Sequence, residues 1–122
     1  MNKIPAILVV FPVAMLLLGA LPSLAGIQDF TLVNSSGLDI PVIKISEDYS
    51  DEWGPNVLGA NQILLHGTSL PINFSGGSTY CNWDMYIENA QGQDFQLMGM
   101  DLCVITKVVI YSENGQMQFC AQ

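Results

Sequence analysis

Between Tyr80 and Glu88 the side chains alternate with a period of two. Cys81, Trp83, Met85 and Ile87 share one parity, and Asn82, Asp84 and Glu88 fall on the other. A strand turns successive side chains to opposite faces, so this pattern requires a half-buried strand. A helix would repeat its apolar positions at three and four residues instead. Leu70, Ile72 and Phe74 repeat the alternation, as do Phe30 with Leu32, Phe95 with Leu97, and Met117 with Phe119. No helical period of useful length follows residue 25. Strands this short bury their apolar parity only by packing sheet on sheet. The expectation is an all-β fold, an antiparallel β-sandwich of about seven strands.

Turn chemistry divides the runs. Asn34-Ser35-Ser36-Gly37 reads as a hairpin between the first two strands, and Asn114-Gly115 is a strong type I′ signal, since that turn needs positive φ at both central residues. Pro71 cannot donate to a ladder, which places its strand at an edge. The apolar parity of Leu38, Ile40 and Val42 gives way to that of Ile43 and Ile45, which suggests a bulge near Pro41. Leu102 to Tyr111 is apolar almost throughout, as a doubly buried strand would be, with Val104, Val108 and Ile110 as its core positions. The longest excursion outside a strand runs from Ser46 to Gln62.

The first 25 residues have the pattern of an N-terminal signal peptide. Lys3 precedes an apolar run from Ile4 to Leu18, and Ser23-Leu24-Ala25 sets small residues at the −3 and −1 positions of a cleavage site. The run is short for a span, which takes about 20 residues, so no stable membrane anchor is expected after cleavage. The expected product is a single domain, residues 26–122, exported to the periplasm or the medium. It carries Lys44 and Lys107 against 11 carboxylates, a charge of 2 − 11 = −9, with no arginine. Such a chain repels polyanions, because counterion release needs cationic side chains; nucleic acid is therefore excluded as a partner class.

Three cysteines fall within that domain. Export places them in an oxidising compartment, where a pair closes. Cys81 points inward with Trp83, and Cys103 opens the most apolar run. Cys120 shares the outward parity of Gln118. Parity therefore favours a Cys81–Cys103 disulfide and leaves Cys120 as a free thiol.

Catalytic patterns are scarce. The chain has one histidine, His66, before Gly67 in a predicted turn, and no metalloprotease, nucleophile-elbow or phosphate-loop motif. The enzyme reading is set aside. The stretch SEDYSDEWGPNVLG, from Ser46, carries Glu47, Asp48, Asp51 and Glu52. An EF-hand register fails here: a loop beginning at Asp48 puts Trp53 where glycine is required, and one beginning at Asp51 puts Trp53 and Pro55 at ligand positions. A looser calcium site is open to Asp48, Asp51 and Glu52, with the Asn56 side-chain oxygen; no other cofactor is implied. The alternative is a solvated acidic loop. Trp53 has two readings, an anchor folded onto the sheet beside Val57 and Leu58 or an exposed contact residue. On the second, Trp53, Tyr49, Asp51 and Asn56 form a binding surface for a protein or glycan partner.

The stretches FTLVNSSG from Phe30, EWGPNVLG from Glu52, CNWDMYI from Cys81 and MDLC ending at Cys103 occur in that order over nearly the whole of residues 26–122. Together they resemble a family of small exported bacterial β domains with the pattern F-x-L-x-N-x-S/T-G, W-G-x-D/N-x-L-G, C-x-W/Y-D and D/N-L-C. The resemblance implies export, a β domain and the Cys81–Cys103 pair, and it supplies no activity. This chain departs from the pattern in Asn56, where an acid is frequent, and in Cys120. The functional expectation is a non-catalytic binding domain, with a calcium-binding structural or adhesive module as the alternative.

Overall fold

The computed structural model describes residues 26–76 and 78–122. The signal-peptide expectation lies outside the described residues. Seven strands form in chain order: β1 Phe30–Ser35, β2 Val42–Glu47, β3 Ser69–Ile72, β4 Asn82–Glu88, β5 Asp94–Asp101, β6 Lys107–Glu113 and β7 Gln116–Ala121. They make two sheets, one of order β3-β1-β6-β7 and one of order β2-β4-β5. The apolar parity of both sheets meets in one hydrophobic cluster. Leu32, Val108 and Ile110 enter it from the first sheet, and Ile43, Ile45, Trp83, Met85, Ile87 and Leu97 from the second. Trp83 is fully buried, with the Phe74 ring edge-on at 4.9 Å between centroids and its indole N–H donating to the Tyr80 carbonyl. The polar atom of a buried tryptophan is thereby satisfied.

The pairing is not wholly antiparallel. β1 runs parallel to β6, with Leu32 opposite Val108 and Asn34 opposite Ile110. Nor do β1 and β2 form a hairpin, since they lie in different sheets. The fully buried Asn34 explains the difference. Its amide donates to the carbonyls of Leu38 and Leu64, and its Oδ1 accepts from the Ser36 backbone and hydroxyl. The turn is thus tied to a third segment, which carries the chain across to the other sheet. Ile40 then pairs with Leu64, while Ile43 pairs with Ile87. The parity change near Pro41 is a change of partner between an isolated bridge and a strand.

Three further expectations differ from the structure. The apolar run from Leu102 is not one strand: β5 ends at Asp101, a turn follows, and Val104 is 70% exposed. Backbone N–H groups of Val104 and Ile105 donate to the Asp101 carbonyl, closing that turn. Phe119 lies on the inward parity of β7 yet remains 43% exposed; β7 is an edge strand, and the Phe119 ring stacks on Phe95 at 6.3 Å between centroids. Asp84, polar by sequence, is buried. The ladder shifts opposite it, so that Met98 and Gly99 face one residue, and Gly99 takes a φ of 68°. Asp84 accepts the Gly99 N–H at 2.7 Å, which satisfies the buried carboxylate within the bulge.

Edge positions follow the chemistry. Pro71 sits on β3, at one end of the larger sheet. Asn114, at φ 54°, and Gly115, at φ 79°, make the turn between β6 and β7. A disulfide joins Cys81, just before β4, to Cys103, just after β5.

Candidate functional site

The long excursion after β2 folds back along that strand. The Val57 N–H donates to the Ile43 carbonyl at 2.8 Å, and Asn56 bridges antiparallel to Lys44. Residues 54–57 thereby cover the open edge of β2. Gly54 is what allows this approach: a Cβ there would stand 2.7 Å from the Ile45 carbonyl oxygen. Asn56 fixes the register. Its Oδ1 accepts the N–H groups of Ile43 (2.9 Å) and Leu58 (3.1 Å), and its Nδ2 donates to Pro41 O (3.0 Å). Both ends of the Asn56 amide therefore serve the backbone.

This fold-back sets Trp53 against the outer face of the β2-β4-β5 sheet. The ring is partly buried and lies tilted at 51° to Tyr86, 5.8 Å between centroids. Tyr86 is central on that face, with Lys44 opposite on β2 and Gln96 opposite on β5. The Lys44 ammonium stands 5.4 Å from the Tyr86 ring centroid, a cation–π distance. The Tyr86 hydroxyl donates to Glu88 (2.9 Å) and Asp94 (3.2 Å). Those hydrogen bonds, the one to Glu88 foremost, push the phenol up to about 12, since ionisation would forfeit them and set a third negative charge beside two carboxylates. An aromatic pair, one ammonium, two carboxylates and the exposed Gln96 amide thus converge on one side of the sheet.

A second aromatic pair lies just beyond the end of β2 and just before the start of β4. Tyr49, 67% exposed, meets Tyr80 edge-on at 5.2 Å. The Tyr80 hydroxyl donates to Asp48 at 2.7 Å, and the Asp48 N–H donates to the Asn82 carbonyl. The hydrogen bond to Asp48 raises the Tyr80 phenol, and the charge of Glu47 raises that of Tyr49.

The structure separates several residues that the sequence groups. Trp53 lies on Tyr86, Tyr49 on Tyr80, and Asn56 is engaged with the backbone. Asp51 and Glu52 are exposed in the loop. Asp48, Asp51 and Glu52 do not gather. Among the described residues, the single set of three His, Cys, Asp or Glu ligand atoms within 4.8 Å is Cys81, Asp101 and Cys103, and its two sulfurs are bonded to each other. Cys120 is exposed and unbonded to another cysteine. Tyr86, Lys44 and Gln96 are the residues that sequence reasoning missed. The available signal was an aromatic on the outward parity of β4, where neighbouring positions are polar.

His66 accepts the Gly37 N–H through Nδ1 at 2.9 Å, a contact that pins two turns together. An open depression of about 480 Å³ lies between Pro41, Asn56 and residues 58–63, with no ionisable side chain in its lining.

No family model matches the chain, and no curated protein matches it. Among solved structures, an NMR structure of a protein from Eubacterium rectale is similar, with a TM-score of 0.54 and 21% identity over 84% of this chain and 94% of that one. The likeness is one of fold.

Proposed function

We propose that this chain is a non-catalytic binding domain, a β-sandwich exported to the periplasm or the medium, which holds a protein or glycan partner on the outer face of its β2-β4-β5 sheet. The observation that carries the reading is the Trp53–Tyr86 pair, held over that face by a loop whose backbone and Asn56 amide are committed to fixing it. Rings in a fixed pose present π surface at little further entropic cost, and they stack on sugar C–H groups or on cationic side chains alike. Gln96 supplies a donor and an acceptor, and Glu88 and Asp94 supply acceptors for hydroxyl or ammonium hydrogens. The net charge of −8 disfavours polyanions and suits neutral or basic partners. Export is supported by the apolar N-terminal segment and by the Cys81–Cys103 disulfide, since such bonds persist outside reducing compartments.

Trp53 then serves both as anchor and as contact, and the test must separate the two roles. Gln96 is exposed, so Gln96→Lys leaves the core untouched and changes only the surface offered. On an array of neutral glycans and basic peptides, the protein is expected to bind a defined subset. Gln96→Lys should lose that binding while melting unchanged. Equal binding by wild type and Gln96→Lys, or no binding to either class, would dismiss this face.

A further inference from the structure

An edge strand presents unpaired backbone groups, and three of the four edges here are guarded. The β2 edge is covered by residues 54–57. The β3 edge is four residues long and contains Pro71. The β5 edge begins and ends on aspartates and is bent by the Gly99 bulge. Among the described residues, β7 carries none of these devices. Residues 116–122 read QMQFCAQ, with no charge and no proline in a chain of net charge −8.

The backbone phase of β7 follows from its pairing. Gln122 exchanges hydrogen bonds with Lys107, N to O at 2.8 Å and back at 3.2 Å. Alternation along the ladder then turns the polar groups of Gln118 and Cys120 toward β6, and those of Met117, Phe119 and Ala121 toward the open side. In an antiparallel partner strand, Cys120 falls at a non-hydrogen-bonded position, where facing Cα atoms lie about 4.5 Å apart. That spacing is within the range of about 4.4–6.8 Å that a disulfide spans.

We propose that β7 is a self-pairing edge, at which a second copy of this chain adds antiparallel about a twofold axis through Cys120 and is locked by a Cys120–Cys120 disulfide. The strand is its own complement in that register. Cys120 faces Cys120, the Phe119 ring faces the small Ala121, and the Gln118 amide faces the Gln122 amide. The uncharged edge is where two acidic copies approach with least repulsion. Locking requires an oxidant, here a small-molecule disulfide. One Cys120 thiolate attacks oxidised glutathione and releases one glutathione thiolate. The second Cys120 thiolate displaces the other, so two thiols are oxidised to one disulfide and one glutathione disulfide is reduced to two thiols.

The test oxidises the purified protein with oxidised glutathione and follows it by non-reducing electrophoresis and peptide mass mapping. The expected product is a dimer joined at Cys120. The double variant Gln118→Lys/Gln122→Lys sets like charges opposite each other in this register and should form dimer about tenfold more slowly. Its net charge is closer to zero, so simple collision would be faster. Lysines beside Cys120 raise thiol reactivity, so the dimerisation rate is compared after normalising to the rate at which Cys120 reacts with a monomeric aromatic disulfide. A register check mixes Gln118→Lys chains with Gln122→Glu chains, which should yield heterodimer above the statistical share. A glutathione-capped monomer as the main product, an unchanged dimerisation rate in the double variant, or a statistical heterodimer share would each overturn the proposal.

Discussion

Replacing Asn56 with alanine removes three hydrogen bonds from one loop. Two are N–H groups, of Ile43 and Leu58, left without the Oδ1 acceptor; the third is the Pro41 carbonyl, which lies at the exposed side. A protein hydrogen bond contributes about 1 kcal/mol net. Water replaces the Pro41 contact at little cost, so Asn56→Ala should lose about 2 kcal/mol. Asn56→Asp keeps the acceptor for both N–H groups and loses only the amide donor, so it should lose about 1 kcal/mol or less. A domain of this size shifts its melting point by about 4–8 °C per kcal/mol. The two variants should therefore melt roughly 10 °C and roughly 5 °C lower, followed by circular dichroism. The alanine variant should also red-shift tryptophan emission, because the loop that seats Trp53 on Tyr86 is loosened. A neutral Asn56→Ala, or an aspartate variant as damaged as the alanine one, would refute the Asn56 side chain as the loop's organising contact.

Other consequences can be read from the same structure. Tyr86 has its phenol raised to about 12 from an ordinary 10.0, so its protonated form is the one the fold favours. Its contribution to stability is complete below about pH 10 and is lost as pH rises through about 12. A near-ultraviolet titration should show one tyrosine titrating near 12, absent from Tyr86→Phe. Reduction of the Cys81–Cys103 bond, which closes a separation of 22 residues, should cost about 3 kcal/mol in urea unfolding. Calcium and chelator should give the same melting point, since Asp48, Asp51 and Glu52 are not drawn together; a large stoichiometric rise that Asp51→Ala abolishes would restore the calcium reading.

The sequence made some of this legible and hid the rest for identifiable reasons. Period-two alternation marks β1, β3, β4, β5 and β7, because parity is set by the backbone of each strand alone; β2 is masked by a change of parity and β6 by an unbroken apolar run. Asn114-Gly115 and Pro71 spoke through φ and a missing N–H, which are equally local. Sheet membership is not local. Asn34 looked like a hairpin residue until its amide was seen to bind Leu64, 30 residues away. Val104 fitted an apolar run, and Asp101 ended the strand just before it by accepting the N–H groups of the turn. At the site, Trp53 stands out as a rare residue, yet its partner Tyr86 does not, since their contact depends on how the loop folds back along β2. Asn56 offers itself in the sequence as a ligand oxygen, because nothing in one sequence shows that two backbone N–H groups already occupy it.

The outer face of the β2-β4-β5 sheet is the proposed contact surface. The most direct measurement is amide and side-chain NMR of the protein titrated with whichever glycan or basic peptide the array selects. Shifts should concentrate on Lys44, Trp53, Tyr86 and Gln96, with β7 unmoved. Shifts centred elsewhere, with these four residues silent, would contradict it.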